Sequence, residues 1–151
     1  MRRRSVWLGL VMGVVTGLAH AADPDFSTLT VRVEGISNHP GEVGVALFQN
    51  PKGYPTHLEH AYQLEWVPLQ AGQTTVEVVF EGVPFGEYAV SVLHDENGNR
   101  TLEQSTLGFP KEGVGFSNGQ RVKFSTPKFS NAKFPLTAPQ QHLVITLEYR
   151  D

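Results

Sequence analysis

The chain has 151 residues, a formal net charge of −3, 40% hydrophobic residues and no cysteine. The lack of cysteine excludes a disulfide framework and any thiolate-bound metal. An acidic balance offers no general electrostatic pull toward nucleic acid or anionic lipid, so neither is an expected partner.

The N-terminus reads as an export signal. Met1-Arg2-Arg3-Arg4 is basic, Val6 to Leu18 is apolar apart from glycine and one threonine, and Ala19-His20-Ala21 is an A-x-A cleavage box. The apolar run falls short of the roughly 20 residues that span a bilayer, and the whole pattern is that of a secretory signal cut after Ala21. Cleavage removes three arginines and no acid, leaving 130 residues of net charge −6. The expected organisation is a signal peptide over 1–21 and one domain over 22–151, periplasmic or secreted, with no membrane span after cleavage. No cysteine follows the apolar run, so a lipoprotein anchor is excluded.

Period-two alternation dominates the rest of the chain. Leu29, Val31 and Val33 form the first stripe; Val43, Val45 and Leu47 the second; Val76, Val78 and Phe80 the third; Tyr88, Val90 and Val92 the fourth; Leu143, Ile145, Leu147 and Tyr149 the last. Each stripe marks a strand with a buried face. Tyr62 to Val67, Arg121 to Phe124 and Ala132 to Leu136 predict three further, weaker strands, and Thr56 to Tyr62 a short helix. Asn38-His39-Pro40-Gly41 and Gly82-Val83-Pro84-Phe85-Gly86 read as hairpin turns. The expected fold is an all-β, about seven-stranded antiparallel sandwich with one long Gly/Asn-rich loop over Asp95 to Gly119. A loop of that length in a compact domain is functional or held in place by something.

The run Leu93-His94-Asp95-Glu96-Asn97-Gly98-Asn99, followed by Leu107-Gly108-Phe109-Pro110-Lys111-Glu112-Gly113-Val114-Gly115-Phe116-Ser117-Asn118, resembles a bacterial exported family, domain of unknown function 2141. So do Gly41-Glu42-Val43-Gly44-Val45-Ala46-Leu47-Phe48, Ala132-Lys133-Phe134 and Ile145-Thr146-Leu147-Glu148-Tyr149. The resemblance implies export and a transthyretin-like or carboxypeptidase-regulatory-like β-sandwich, and it implies no biochemical activity. The segment Gly82 to Asp95 also resembles the strand-turn-strand signature of those sandwiches. At the position of Arg100 the family commonly has glycine.

The long loop carries the candidate site. Asp95, Asn97 and Asn99 put oxygen-bearing side chains at positions 1, 3 and 5 of a turn, Thr101 offers a backbone carbonyl at 7, and Glu103 a carboxylate at 9. This is the ligand order of an EF-hand-like calcium loop without its helices, and Ca²⁺ wants six to eight oxygens. Two departures stand against it: position 6 is Arg100 rather than glycine, and position 12 is Thr106 rather than a bidentate glutamate. Glu96, Glu103 or Glu112 could complete a shell. The alternative is a loop closed by its own Asx-turn hydrogen bonds.

The functional expectation is an exported, non-enzymatic binding or accessory module that meets a protein or glycan. The runner-up is a small metal-dependent periplasmic enzyme or metal carrier using His94, Glu96 and Glu112. Strand parity sets His94 on the buried side with Val90 and Val92 and Asp95 on the other, which favours calcium over a shared His–Asp site. Gly115-Phe116-Ser117-Asn118-Gly119 fits the G-x-S-x-G nucleophile pattern but lacks the strand-to-helix context that gives it meaning. His57 and His60 make a pair without a third ligand. Lys123-Phe124, Lys128-Phe129 and Lys133-Phe134 read as a basic-aromatic glycan or headgroup surface, or as phenylalanines covering a sheet edge that lysines protect. The sequence selects no oligomeric state.

Overall fold

The computed structural model describes residues 25–150; the signal sequence expected over 1–21 lies outside them. Eight strands among the described residues form two sheets: β1 (Phe26–Glu34), β2 (Glu42–Phe48), β3 (Gln63–Pro68), β4 (Val76–Pro84), β5 (Gly86–Asp95), β6 (Val114–Phe116), β7 (Phe134–Leu136) and β8 (Gln140–Thr146). One sheet has the order β4-β1-β8; the other has β3-β2-β5-β6, with β7 paired to the start of β5. The architecture is an all-β sandwich. Its core is the five alternating stripes of the sequence: Leu29, Val31 and Val33 of β1, Val43, Val45 and Leu47 of β2, Val76, Val78 and Phe80 of β4, Val90 and Val92 of β5, and Ile145 of β8. At roughly 1.5–3 kcal/mol for each large apolar side chain removed from water, this stripe is the main stabilising term.

Three expectations change. Both presumed hairpins instead carry the chain from one sheet to the other, since β1 and β4 lie in one and β2 and β5 in the other. Only Phe85 separates β4 from β5, too short a link for two strands to pair back on themselves. The segment Arg121 to Phe124 is not a strand, and Val114–Phe116, inside the supposed loop, is one. Finally, β8 runs parallel to β1, a pairing open to strands separated by a long crossover, here most of the chain.

The long segment after β5 does not hang free. It folds back over the outer face of the second sheet, where Leu93, Val114 and Phe116 form a second apolar cluster with Trp66, Leu102 and Val122. Trp66 lies flat over Gly44, where a Cβ would come within 2.5 Å of its ring. That cluster positions the candidate site at the end of the same face.

Candidate functional site

The site begins where β5 ends. Asp95 pairs across the ladder with Glu42 of β2. On its other side the β5–β6 register, Ser91 to Phe116 through Leu93 to Val114, continues past the strand end through the His94 N–H bond to the Gly113 carbonyl at 2.8 Å. Continued by one residue, that register sets Asp95 opposite Glu112. Three acids, Glu42, Asp95 and Glu112, therefore line up across three chain segments on one face. Like charges set directly opposite one another are destabilising unless something neutralises them.

Each acid is treated differently. Glu42 is bound twice by Arg100, Nε at 2.8 Å and the terminal nitrogen at 3.0 Å, which lowers the Glu42 pKa. Arg100 also lies 5.1 Å from the Trp66 ring centre. Asp95 is fully buried, and its Oδ1 accepts from the Gly98 N–H at 3.0 Å and its Oδ2 from the Arg100 N–H at 2.7 Å. Glu112 is only 6% exposed; its Oε1 accepts from the Glu96 N–H at 3.1 Å, while its Oε2 is buried with no partner. Burial pushes the Glu112 carboxyl above its ordinary range, and the nearby charges of Asp95, Glu103 and Glu96 push it further the same way.

The loop itself is a ladder of such bonds. Asn97 Oδ1 accepts from the Asn99 N–H at 3.1 Å, and Asn99 Oδ1 from the Thr101 N–H at 2.9 Å. The side-chain amides of Asn97 and Asn99 both donate to Glu103 Oε1, at 3.0 and 2.8 Å. Asn97, Asn99 and Glu103 thus meet through the NH₂ groups of the two asparagines, whose oxygens serve the backbone as in the Asx-turn alternative, with Asp95 anchoring the turn behind them; Thr101 Oγ1 donates to the Asn99 carbonyl at 3.3 Å. Gly98 (φ 76°) and Arg100 (φ 55°) are both left-handed. Arg100 thus adopts the backbone conformation that makes glycine usual at position 6, held there by Asp95 and by its own ion pair, which removes the first of the two sequence objections. Both Asp95 oxygens, the Asn97 and Asn99 oxygens and Glu103 Oε1 each accept an N–H in this arrangement; an oxygen that accepts one N–H keeps a second lone pair. Among the described residues no three His, Asp or Glu side chains converge as a metal-ligand cluster, so any such ion relies on amide and main-chain oxygens beside the acids.

His94 lies elsewhere, in the sandwich interior. It is fully buried, as parity predicts, and both ring nitrogens are engaged: Nε2 donates to the Pro40 carbonyl at 3.3 Å and Nδ1 accepts from the Tyr149 hydroxyl at 2.8 Å. The Tyr149 oxygen in turn accepts from the Ser37 N–H at 2.9 Å. This network ties the β1–β2 link, β5 and the C-terminal segment together. Glu96 Oε1 stands 3.8 Å from His94 Nδ1 and 3.2 Å from His39 Nδ1, but Glu112 is bound to the Glu96 backbone, so the His94–Glu96–Glu112 set is not assembled around one point.

Burial lowers the His94 pKa, against an opposing pull from the Glu96 carboxylate. The neutral ring is therefore the folded form, and its stabilising contribution is complete above the unfolded value of about 6.5. That contribution is lost as pH falls below that value toward the folded pKa. Urea midpoints taken in chelator should drop between about pH 7.5 and 5, and the drop should be shallower in His94→Gln; equal slopes would mean that His94 does not carry the pH dependence.

Other motifs resolve into structure. Ser117 is buried, and its Oγ accepts from the Val90 N–H at 2.9 Å and donates to the Ala132 carbonyl at 2.7 Å, so this serine is built into the fold rather than offered to a substrate. Phe134 is buried and Phe129 stacks edge-on against Tyr54 at 5.9 Å, whereas Phe124 is 96% exposed; the three Lys-Phe pairs do not share a face. Leu107, at the loop's outer tip, is likewise left in solvent. Arg150 lies 4.0 Å from the Phe109 ring centre and donates to the carbonyls of Val122 and Lys123. Beside them a cleft of about 250 Å³ is lined by Glu112, Val114, Phe116, Val122, Val144 and Tyr149, among others.

A β-sandwich whose outer face carries a polar loop closed by its own side chains defines a β-sandwich module with a hydrogen-bonded Asp/Asn loop at one sheet end. The chain belongs to the bacterial family described as "Uncharacterized protein conserved in bacteria (DUF2141)", which matches residues 31–143. No curated protein and no solved structure matches it. Among the described residues no helix is long and apolar enough to cross a membrane.

Proposed function

We propose that this chain is an exported, non-enzymatic binding module whose Asp95 loop binds Ca²⁺ and presents the neighbouring surface to a protein or glycan. The observation that carries the reading is the gathering of Asn97, Asn99 and Glu103 in one turn anchored by buried Asp95, where the two amides face Glu103 with their NH₂ groups and a bound ion requires them to turn over. The left-handed Arg100 and the buried, unpartnered Glu112 oxygen support it. Exposed Leu107 and Phe124, with Arg150 over Phe109, supply the apolar and arginine character typical of recognition surfaces. Export rests on the N-terminal sequence, and a periplasmic or secreted setting supplies calcium at the level that loops with a Kd of about 10⁻⁴–10⁻³ M require.

The test is a thermal melt in EDTA and then in millimolar calcium. Calcium at 100 times Kd stabilises the fold by about 2.7 kcal/mol, several degrees for a domain of this size. The shift should shrink in Glu103→Gln, whose shape is retained. An unchanged Tm in the wild type would leave the loop closed by hydrogen bonds alone.

A further inference from the structure

β8 has one side to spare. It runs parallel to β1, and the Leu147 N–H bonds to the Glu34 carbonyl, while the Glu148 N–H and carbonyl both bond to Val114. Backbone groups of successive residues point to opposite sides of a strand. The odd-numbered residues of β8 therefore bond to β1, and His142, Val144 and Thr146 turn their N–H and C=O groups the other way. On that side β8 meets β6 only at the Val114–Glu148 bridge, just past its end, and the chain turns off after Phe116 into the short helical turn Ser117–Gly119. Beside this edge lies the cleft of about 250 Å³, lined by Val144 and Thr146 together with Val114, Phe116 and Val122. An open edge is a template for another chain, and proteins usually blunt it with charge or proline. β3 carries Glu65 and ends at Pro68, and β4 carries Glu77 and Glu81 and ends at Pro84. β8, from Gln140 to Thr146, has no Lys, Arg, Asp, Glu or Pro, and its Val144 is 62% exposed.

We infer that the β8 edge and its cleft take an extended peptide segment of a partner protein, which pairs with His142 and Val144 through its main chain and sets an apolar side chain against Val114, Phe116 and Val122. The backbone row selects the occupant. Unpaired N–H and C=O groups at strand spacing are matched by another extended main chain, and a side-chain pocket beside the edge adds specificity. A glycan has no such repeat of donors and acceptors. The Gly119–Val122 segment also lines the cleft, and Arg121 Nε, 2.8 Å from Glu148 Oε1, ties it to the chain beyond β8. That leaves a slot for one strand rather than room for the whole sheet of a second copy. The inference takes the protein arm of the binding-module reading and needs no ion in the Asp95 loop.

The probe is a library of random displayed peptides, selected on the mature chain in EDTA so that the calcium reading plays no part. Synthetic copies of the selected peptides should carry alternating apolar residues. They should slow hydrogen exchange at the His142 and Val144 amides, and N-methylation at alternate residues should weaken their binding at least about tenfold. Val144→Pro removes an N–H that faces away from β1, a position where an edge strand accepts proline, so it should fold and lose the peptides by a similar factor. Val144→Lys keeps the N–H and puts a charge at the cleft; it should weaken binding as well. Peptides that bind both variants as tightly as wild type, or bind equally when N-methylated, recognise another surface and overturn the inference. A library that yields no binder overturns it too and leaves a glycan as the module's partner. A dimer that both variants dissociate in sedimentation gives the edge to a second copy instead.

Discussion

Gly41→Ala should lower the unfolding free energy by about 2–6 kcal/mol. Gly41 has φ 130°, and a Cβ built there would sit 2.1 Å from the Asp95 carbonyl oxygen and 2.9 Å from the Glu96 Cα. Both obstacles are backbone, so no side chain can swing aside. A residue forced into such a φ costs about 1–3 kcal/mol, and overpacking a tight contact about 1–3 more. The contact also joins fold to site, because the β1–β2 link that carries Gly41 supports the peptide between Asp95 and Glu96. Gly72→Ala separates the two terms. Its φ is 76°, but nothing lies within 4 Å of the new methyl, so only the conformational cost remains. Urea unfolding of both variants is the measurement. A Gly41→Ala cost no larger than that of Gly72→Ala would mean that the link gives way and does not brace the loop.

The fold was legible in the stripes because burial and strand periodicity are the same physical fact. Leu29 to Val33 and Val43 to Leu47 alternate because one face of each meets the core. Sheet membership was not legible. A turn-like Asn38-His39-Pro40-Gly41 serves a hairpin or a sheet-to-sheet corner equally well, and the choice is made by which strands pair, a long-range matter. β6 was hidden because Val114-Gly115-Phe116 is too short to show a period, and its glycine, pressed 2.6 Å from Ile145 by any added Cβ, marks a close approach rather than a bend. For the loop, spacing grouped Asp95, Asn97, Asn99 and Glu103 into one turn, but not which end of each amide faces inward: the NH₂ groups face Glu103 and the oxygens serve the backbone. It could name Glu112 only as one of several spare acids. Its cross-strand place opposite Asp95 depends on the β5–β6 register, which local spacing does not carry. Arg100 looked like an obstacle because local rules favour glycine there; its long side chain reaching Glu42 was beyond local rules.

Asp95→Ala should destabilise the protein by about 2–4 kcal/mol in EDTA, before any metal is considered. The substitution removes the acceptors of the Gly98 and Arg100 N–H groups, and each donor left without a partner costs about 1–3 kcal/mol where water reaches it poorly. Arg100 loses the bond that holds its left-handed backbone, and with it the aim of its guanidinium at Glu42. Asp95→Asn should fall between alanine and wild type, because its oxygen still serves Gly98 while its NH₂ group confronts the Arg100 N–H. The order wild type, Asn, Ala in chelator melts checks this, and an Asp95→Ala protein as stable as wild type would show that the ladder contributes nothing. Because Asp95 anchors the turn, its alanine variant is a poor witness for calcium: a lost response follows from a collapsed turn as readily as from a missing ligand. Glu103 accepts its two bonds from side-chain amides rather than from the backbone, so Glu103→Gln leaves the turn anchored by Asp95 while removing the charge. A calcium shift lost in Glu103→Gln, with its melt in EDTA close to wild type, assigns the ion to the loop by a route that Asp95 cannot provide.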